Sequence, residues 1–371
     1  MRYVDEYRNK ELVGELARQL QRLVDRPMRI MEVCGTHTMS IFSHGLRSLF
    51  PDKLELISGP GCPVCVTPIN HINDFLTIAE MEGVSTAVFG DLIRVPGTRD
   101  SLASLSGKGA EVKVVYSPVD GLELAKKYPH RQWMFPSVGF ETTAPTTAAV
   151  VLEAARIGID NFTIYPANKV IPPALDALFA DDSVRVDGLL CPGHVSAIIG
   201  LKPYELTAQK HGIACAVAGF EPTDILQALI GLARMIRQNK SEVHNCYPRA
   251  VTEGGNARAR ELISQVFNPV DSQWRGLGMI PQSGLMLRDE FSHFNALHRF
   301  SFSPNNDCDP LGCRCGEILK GTTQPAGCPM FGSRCTPSNP VGPCMVSSEG
   351  TCAAHYRYGS LAELPPRTDN S

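Results

Sequence analysis

The chain has 371 residues, with 35 Lys+Arg against 38 Asp+Glu and a formal charge of −3. That near-balance, with no local run of Lys or Arg, excludes the basic footprint of a nucleic-acid binder, and no apolar run approaches the ~18–20 residues of a membrane span. Apolar residues make up 43% and charged residues 20%, an ordinary globular mix with length enough for two or three domains.

The chain opens on the polar stretch MRYVDEYRNKEL, with no secretory pattern, so a cytoplasmic protein is expected. Residues 5–26 read as one amphipathic helix: Leu12, Val13, Leu16, Leu20, Leu23 and Val24 recur at helical spacing and Pro27 stops the run. From residue 28 short apolar runs alternate with helical stretches. Strands are expected at 29–33, 54–58, 84–89, 111–116, 132–138, 161–165, 186–191 and 213–218, with helices such as 68–82, 143–157, 202–211 and 222–239 between them. Alternation of this kind predicts parallel sheets with right-handed crossovers. A weak internal repeat, LISGPGCPVC…GVSTAVFGD against LLCPGHVSAI…GIACAVAGFE, predicts two related doubly wound parallel-sheet domains of the α/β class. The expected division is 1–28 for the N-terminal helix, packed with the C-terminal domain, 29–131 and 132–240 for the two α/β domains, and 241–371 for an irregular cysteine-rich domain.

The motifs fall at strand ends, where ligands collect in parallel sheets. Cys34-Gly35-Thr36-His37-Thr38 follows the first strand. Cys62-Pro63-Val64-Cys65 follows the second and opens a helix, a setting that lowers a thiol pKa and favours a reversible disulfide. If the two strands are parallel neighbours, Cys34 and the Cys62/Cys65 pair emerge on one edge, with His37 nearby, as a soft pocket suited to iron or sulfur chemistry. His194, in CPGHVSAI, matches Cys62 in the repeat and is expected to face the same cleft. Asp91, Arg94 and Glu141 are further polar candidates, whereas Cys191, Cys215 and Cys246 read as core or surface thiols.

Residues 308–352 hold seven of the thirteen cysteines, seven glycines and six prolines, with few large apolar side chains. Such a segment cannot offset its ordering entropy by burial and needs a staple. Cys328, Cys335, Cys344 and Cys352 arrive singly from four loops, with six, eight and seven residues between them. Zinc sites prefer close pairs, so this spacing favours a [4Fe–4S] cluster over zinc. Cys308, Cys313 and Cys315 compete for the same role. Glu349, between two of the expected ligands, reads as a hydrogen-bond anchor.

Taken together, MEVCGTHT, GPGCPVCVTP, FGDLIRVPG, VGFETTAPTTA, CPGHVS, GFEPTDIL and the tail CRCGEILKG…CPMFGSRCTPSNPVGPCMVSSEGTCAAHY resemble the HypD family of [NiFe]-hydrogenase maturation factors, from about residue 28 to 358. The resemblance implies an iron–sulfur scaffold whose cluster domain is built from both termini. With the chaperone HypC it carries the Fe(CN)2CO group destined for the hydrogenase large subunit, while HypE supplies cyanide. It maps Cys34 onto the transient iron ligand, Cys62 and Cys65 onto a redox-active pair that relays electrons, and Cys328, Cys335, Cys344 and Cys352 onto the [4Fe–4S] ligands. His37 and His194 complete the expected site. Two other readings compete: a cluster-dependent thiol/disulfide reductase acting on a partner protein, and a zinc-stabilised binding module.

Overall fold

The computed structural model describes residues 5–359. Its strands, in chain order, are β1 (Met28–Glu32), β2 (Leu54–Ser58), β3 (Val84–Phe89), β4 (Glu111–Val115), β5 (Gln132–Gly139), β6 (Phe162–Asn168), β7 (Gly188–Pro192), β8 (Ala214–Ala218), β9 (Val243–Asn245), β10 (Phe267–Trp274) and β11 (Gly278–Leu287). All eight expected strands form. With β9, which was not expected, they build two parallel sheets, ordered β2-β1-β7-β8-β9 and β4-β3-β5-β6, beside an antiparallel β10–β11 hairpin.

The sheets do not follow one another along the chain. The first draws strands from 28–58 and from 188–245, with the whole second sheet inserted between, so a break at 131/132 would fall within the second sheet. The repeat is correspondingly partial. β2 and β7 both belong to the first sheet, but of the strands that follow them β3 lies in the second sheet and β8 in the first. Short strands of alternating helical connection can be aligned with either sheet, and their order is set by which faces they bury.

That burial is two-sided, as parallel sheets require. Neighbouring residues of one strand serve different cores: Ile30 and Leu190 join the outer core of the first sheet, Met31 and Leu189 a central core. In the second sheet Met134 faces the central core, while Trp133 and Phe135 face an outer core shared with Phe162, Phe267 and Leu285. The cysteine-rich segment enters the central core through Cys315, Ile318, Leu319, Cys344 and Met345.

One expectation at the N-terminus is corrected. The helix is shorter than 5–26: a 3-10 turn (Asp5–Arg8) precedes α1 (Lys10–Leu23), because Asn9 caps it by accepting from Glu11 N and Leu12 N at 2.9 and 3.1 Å. Its apolar stripe packs chiefly on the first sheet, while Tyr7 ahead of it lies 4.0 Å under the Arg249 guanidinium of the 241–371 segment. Leu16, Leu20 and Val24 lie in the outer core of the first sheet with Ile225 and Leu229 of the helix Pro222–Arg237, and Arg8 pairs with Glu221 before that helix. An apolar stripe at helical spacing names no partner; here the helix Pro222–Arg237 supplies it.

Candidate functional site

Four neighbouring strands of the first sheet deliver their carboxyl ends to one edge. β2 leads to Cys62, β1 to Cys34, β7 to His194 and β8 to Gly219 and Phe220. The order reverses between β1 and β7, and Cys34 leaves the sheet beside that reversal, where open α/β sheets form their crevice.

Cys34 caps α2 (Gly35–Ser43) and is buried. The strand end beneath it is tied by Glu32, whose carboxylate accepts from Thr38 Oγ1 at 2.9 Å and Ser58 Oγ at 2.7 Å; burial lifts its pKa to about 7 against those two bonds. The Cys62 loop is pressed onto Cys34. Gly35 N donates to Gly61 O at 3.1 Å, and a Cβ on Gly61 would lie 2.1 Å from Cys34 N, so only glycine fits there. Cys62 and Cys65 are joined as a disulfide across a helical turn, α3 (Pro63–Val66), with Cα atoms 5.2 Å apart. Cys34 itself is held as a thiol, its pKa pushed up to about 12 by burial and then by the charge of Glu349, while hydrogen bonds from the His37 and Thr36 backbone and the Thr36 side chain oppose the rise. Burial and the Glu349 charge therefore outweigh the turn's hydrogen bonds, and Cys34 is harder to ionise than a free thiol.

The loop between Cys344 and Cys352 closes the pocket. Thr36 Oγ1 donates to Glu349 Oε1 at 2.6 Å, and Gly35 packs so tightly on Glu349 that a Cβ would meet the Glu349 Cβ at 2.4 Å. Burial raises the Glu349 pKa, the Thr36 bond lowers it, and Asp91 raises it further. Asp91 arrives from just beyond β3 of the second sheet and accepts from Ser347 Oγ at 3.2 Å, Ser348 N at 3.2 Å and Ser348 Oγ at 2.7 Å. Ser347 Oγ lies 3.5 Å from Cys62 Sγ. One short loop thus touches Cys34's turn, the disulfide and the second sheet at once.

The histidines form a neighbouring group. His37 is buried, donates Nε2–H to Gly219 O (2.9 Å), and lies 4.8 Å from the Phe220 ring; burial lowers its pKa to about 4, so it is neutral near pH 7. His194 stacks on the other partner of that group, Phe220, at 3.9 Å and is exposed. Glu141 stands elsewhere: its Oε1 accepts from Ile171 N at 2.9 Å, Oε2 has no partner among the described residues, and burial raises its pKa to about 7. No hydrogen bond or ion pair ties Arg94 to the pocket among the described residues.

In the tail, Cys313, Cys315, Cys328, Cys335 and Cys352 line one small cavity. Cys344 joins them by hydrogen bonds to Cys315 and Cys352 that, with its surroundings, hold its pKa below the usual thiol range. Cys308 is exposed and outside this cavity. Among the described residues, no group of three or more His, Cys, Asp or Glu side chains is drawn together tightly enough to hold a single metal ion. The hairpin β10–β11 adds a residue that sequence reading passed over. Arg275 is fully buried, with its backbone N on Val66 O (2.8 Å), Nε on Thr67 O (3.0 Å) and an ion pair to Asp309. It joins the end of α3 to the cysteine-rich segment. The turn Trp274-Arg275-Gly276-Leu277-Gly278, with both glycines at positive φ, was the available signal.

Residues 9–359 match the profile of a family described as HypD, the hydrogenase formation hypA family. The chain belongs to the HypD family. Its relatives include the hydrogenase maturation factor HypD2 of Bradyrhizobium diazoefficiens, 41% identical over 99% of both chains. The hydrogenase maturation factors HypD of Azotobacter vinelandii and Escherichia coli are 42% and 43% identical, covering 97% and 96% of this chain and 97% and 98% of theirs. The fold expected for the family, two parallel-sheet units with a cysteine-rich C-terminal region, is the one observed. Among the described residues no helix is long and apolar enough to cross a membrane.

Proposed function

We propose that this HypD-family chain is the scaffold on which, together with HypC, the Fe(CN)2CO group of the [NiFe] active site is assembled, with HypE as the source of cyanide. The iron is cargo, and Cys34 is its sulfur ligand on this chain. The observation that carries the reading is the Ser347–Glu349 loop, which lies between two tail cysteines and contacts both the Cys34 turn and the Cys62–Cys65 disulfide. Cys34 is a single buried thiol at the sheet's reversal point; low-spin iron with cyanide and CO takes a soft thiolate well, and binding it releases the thiol proton. Burial keeps Cys34 protonated and unreactive until the iron arrives.

The tail cysteines suit a cuboidal cluster better than a single zinc ion. Each iron corner of such a cluster takes one thiolate, so the ligands surround a volume, whereas zinc needs four donors meeting at a point. Cys328, Cys335 and Cys352 face one cavity and Cys344 is bonded to Cys352, which supports these four as ligands, with Cys313 and Cys315 close by. When bound, a [4Fe–4S] cluster supplies single electrons to the disulfide-bearing pocket. The chain's own part is to hold Cys62 and Cys65 where two electrons and two protons convert them to thiols beside Cys34. A reductase acting on a partner protein fits less well, because Cys62 and Cys65 are 4% and 0% exposed.

The test is coexpression with HypC and HypE, followed by infrared spectroscopy of the isolated complex. Iron-bound cyanide and CO bands are expected with the wild-type chain and absent with Cys34→Ser. Retention of those bands in Cys34→Ser contradicts the proposal.

A further inference from the structure

The closing loop treats the two sulfurs of the disulfide differently. Cys62 Sγ receives Cys65 N–H at 3.2 Å and lies 3.5 Å from Ser347 Oγ, whereas Cys65 Sγ forms no hydrogen bond among the described residues. Ser347 is 1% exposed and has one hydroxyl hydrogen with two claimants: Cys62 Sγ, and Asp91 Oδ2 at 3.2 Å. Its oxygen is meanwhile occupied by Glu349 N–H, also at 3.2 Å. A disulfide sulfur is a weak acceptor, so in the oxidised pair the hydrogen goes to Asp91. A thiolate is a charge-assisted acceptor, so on opening of the pair Cys62 can draw the same hydrogen across.

We propose that Ser347 and Asp91 make Cys62 the attacking thiol of the pair: Ser347 by donating to the Cys62 thiolate, and Asp91 by competing for that hydrogen. Both are positioning residues, and the inference rests on the redox role read above for Cys62 and Cys65. Charged or titratable groups packed near α3 include Glu349 and Cys34 on the loop side, Cys344 on the helix Pro343–Val346, and Arg275 at the Thr67 carbonyl; β5, which packs on α3, carries none. In exchange with a small disulfide such as oxidised dithiothreitol, the Cys62 thiolate attacks one sulfur, forms a mixed disulfide and releases a thiolate. The Cys65 thiolate then attacks Cys62, closes the intrachain disulfide and releases the second thiolate. Two electrons pass from the cysteine pair to the small disulfide, and the protons of the starting thiols pass to the released dithiol or to buffer.

The experiment uses the full chain, reduced anaerobically with dithiothreitol and freed of it, and follows iodoacetamide alkylation at pH 7 by peptide mass spectrometry. Loss of the Ser347 hydroxyl cuts the Cys62 thiolate fraction about tenfold; the higher intrinsic nucleophilicity of a more basic thiolate returns part of this, leaving Ser347→Ala about threefold slower. Asp91→Asn leaves only a neutral, weaker acceptor for that hydrogen and is expected to speed Cys62 by a similar factor. Cys65 and the exposed Cys308 keep their rates in both variants, and Ser347→Thr restores the wild-type rate. Opposite signs at Cys62 separate this from simple loosening of the loop. Unchanged Cys62 rates, equal acceleration of Cys62 and Cys65 in Asp91→Asn, or no reaction at Cys62 where Cys308 reacts would each overturn the proposal. Failure of the wild-type pair to open in dithiol and close again in small disulfide would instead overturn the redox reading beneath it.

Discussion

The two-sheet body and the segment 308–352 are held by different physics. In the body, strands such as β7 and β8 are buried along their whole length, and their alternate side chains fill separate apolar cores. The segment offers a handful of apolar residues, Ile318, Leu319, Met345 and Val346 among them, and otherwise relies on thiols, glycine turns and polar ties to the body: Glu349 to Thr36, Ser347 and Ser348 to Asp91, Asp309 to Arg275. A region held by burial tolerates the loss of any polar contact. One held by a few specific ties can be released piece by piece, and the ties through Ser347, Ser348 and Glu349 converge on the thiol site.

The largest effect is expected in the body. Phe135→Ala empties a fully buried position of the outer core of the second sheet and should cost about 3–5 kcal/mol, read by chemical denaturation. A purely electrostatic contribution comes next. Glu141 ionises near 4.5 when unfolded and near 7 when folded, so between those values the folded state binds more protons and stability falls as pH rises. Glu141→Gln should therefore gain on the wild type by up to about 3 kcal/mol between pH 5 and 8. The paired comparison cancels the buried histidines His37 and His71, whose lowered pKa values make stability fall as pH drops below about 6.5.

The ties themselves should give smaller and more local effects. Arg275→Met removes the guanidinium between Thr67 O and Asp309; with Asp309 39% exposed and able to rehydrate, the cost should be about 2 kcal/mol. Limited proteolysis should then cut within 308–352 while the body stays intact. Thr36→Val removes one hydrogen bond to Glu349, about 1 kcal/mol, and should show mainly as faster alkylation of Cys34. Equal loss of body and segment in these last two variants would erase the distinction drawn here.

Legibility followed the same divide. The strand at 213–218 announced itself because a buried parallel strand is a continuous apolar run, and Cys34, Cys62 and His194 could be placed on one edge because strand ends are easy to locate. Strand order could not be read, since the interleaving of the sheets depends on contacts between β1 and β7, far apart in the chain. The partner of α1 was equally invisible. The β10–β11 hairpin was masked by Pro269 and Pro281, and Arg275 with it. Asp91 and Glu349 were visible as polar residues near strand ends or cysteines, but Ser347 was not: a serine in a loop acquires meaning only from the sulfur it is set against.

The most direct test of the central claim is metal and sulfide analysis, with an optical spectrum, of the anaerobically purified wild-type chain and Cys328→Ala. The account predicts about four irons and four sulfides with broad brown absorbance in the wild type, lost in the variant while Cys34, Cys62 and Cys65 remain. Stoichiometric zinc and a colourless protein would contradict it.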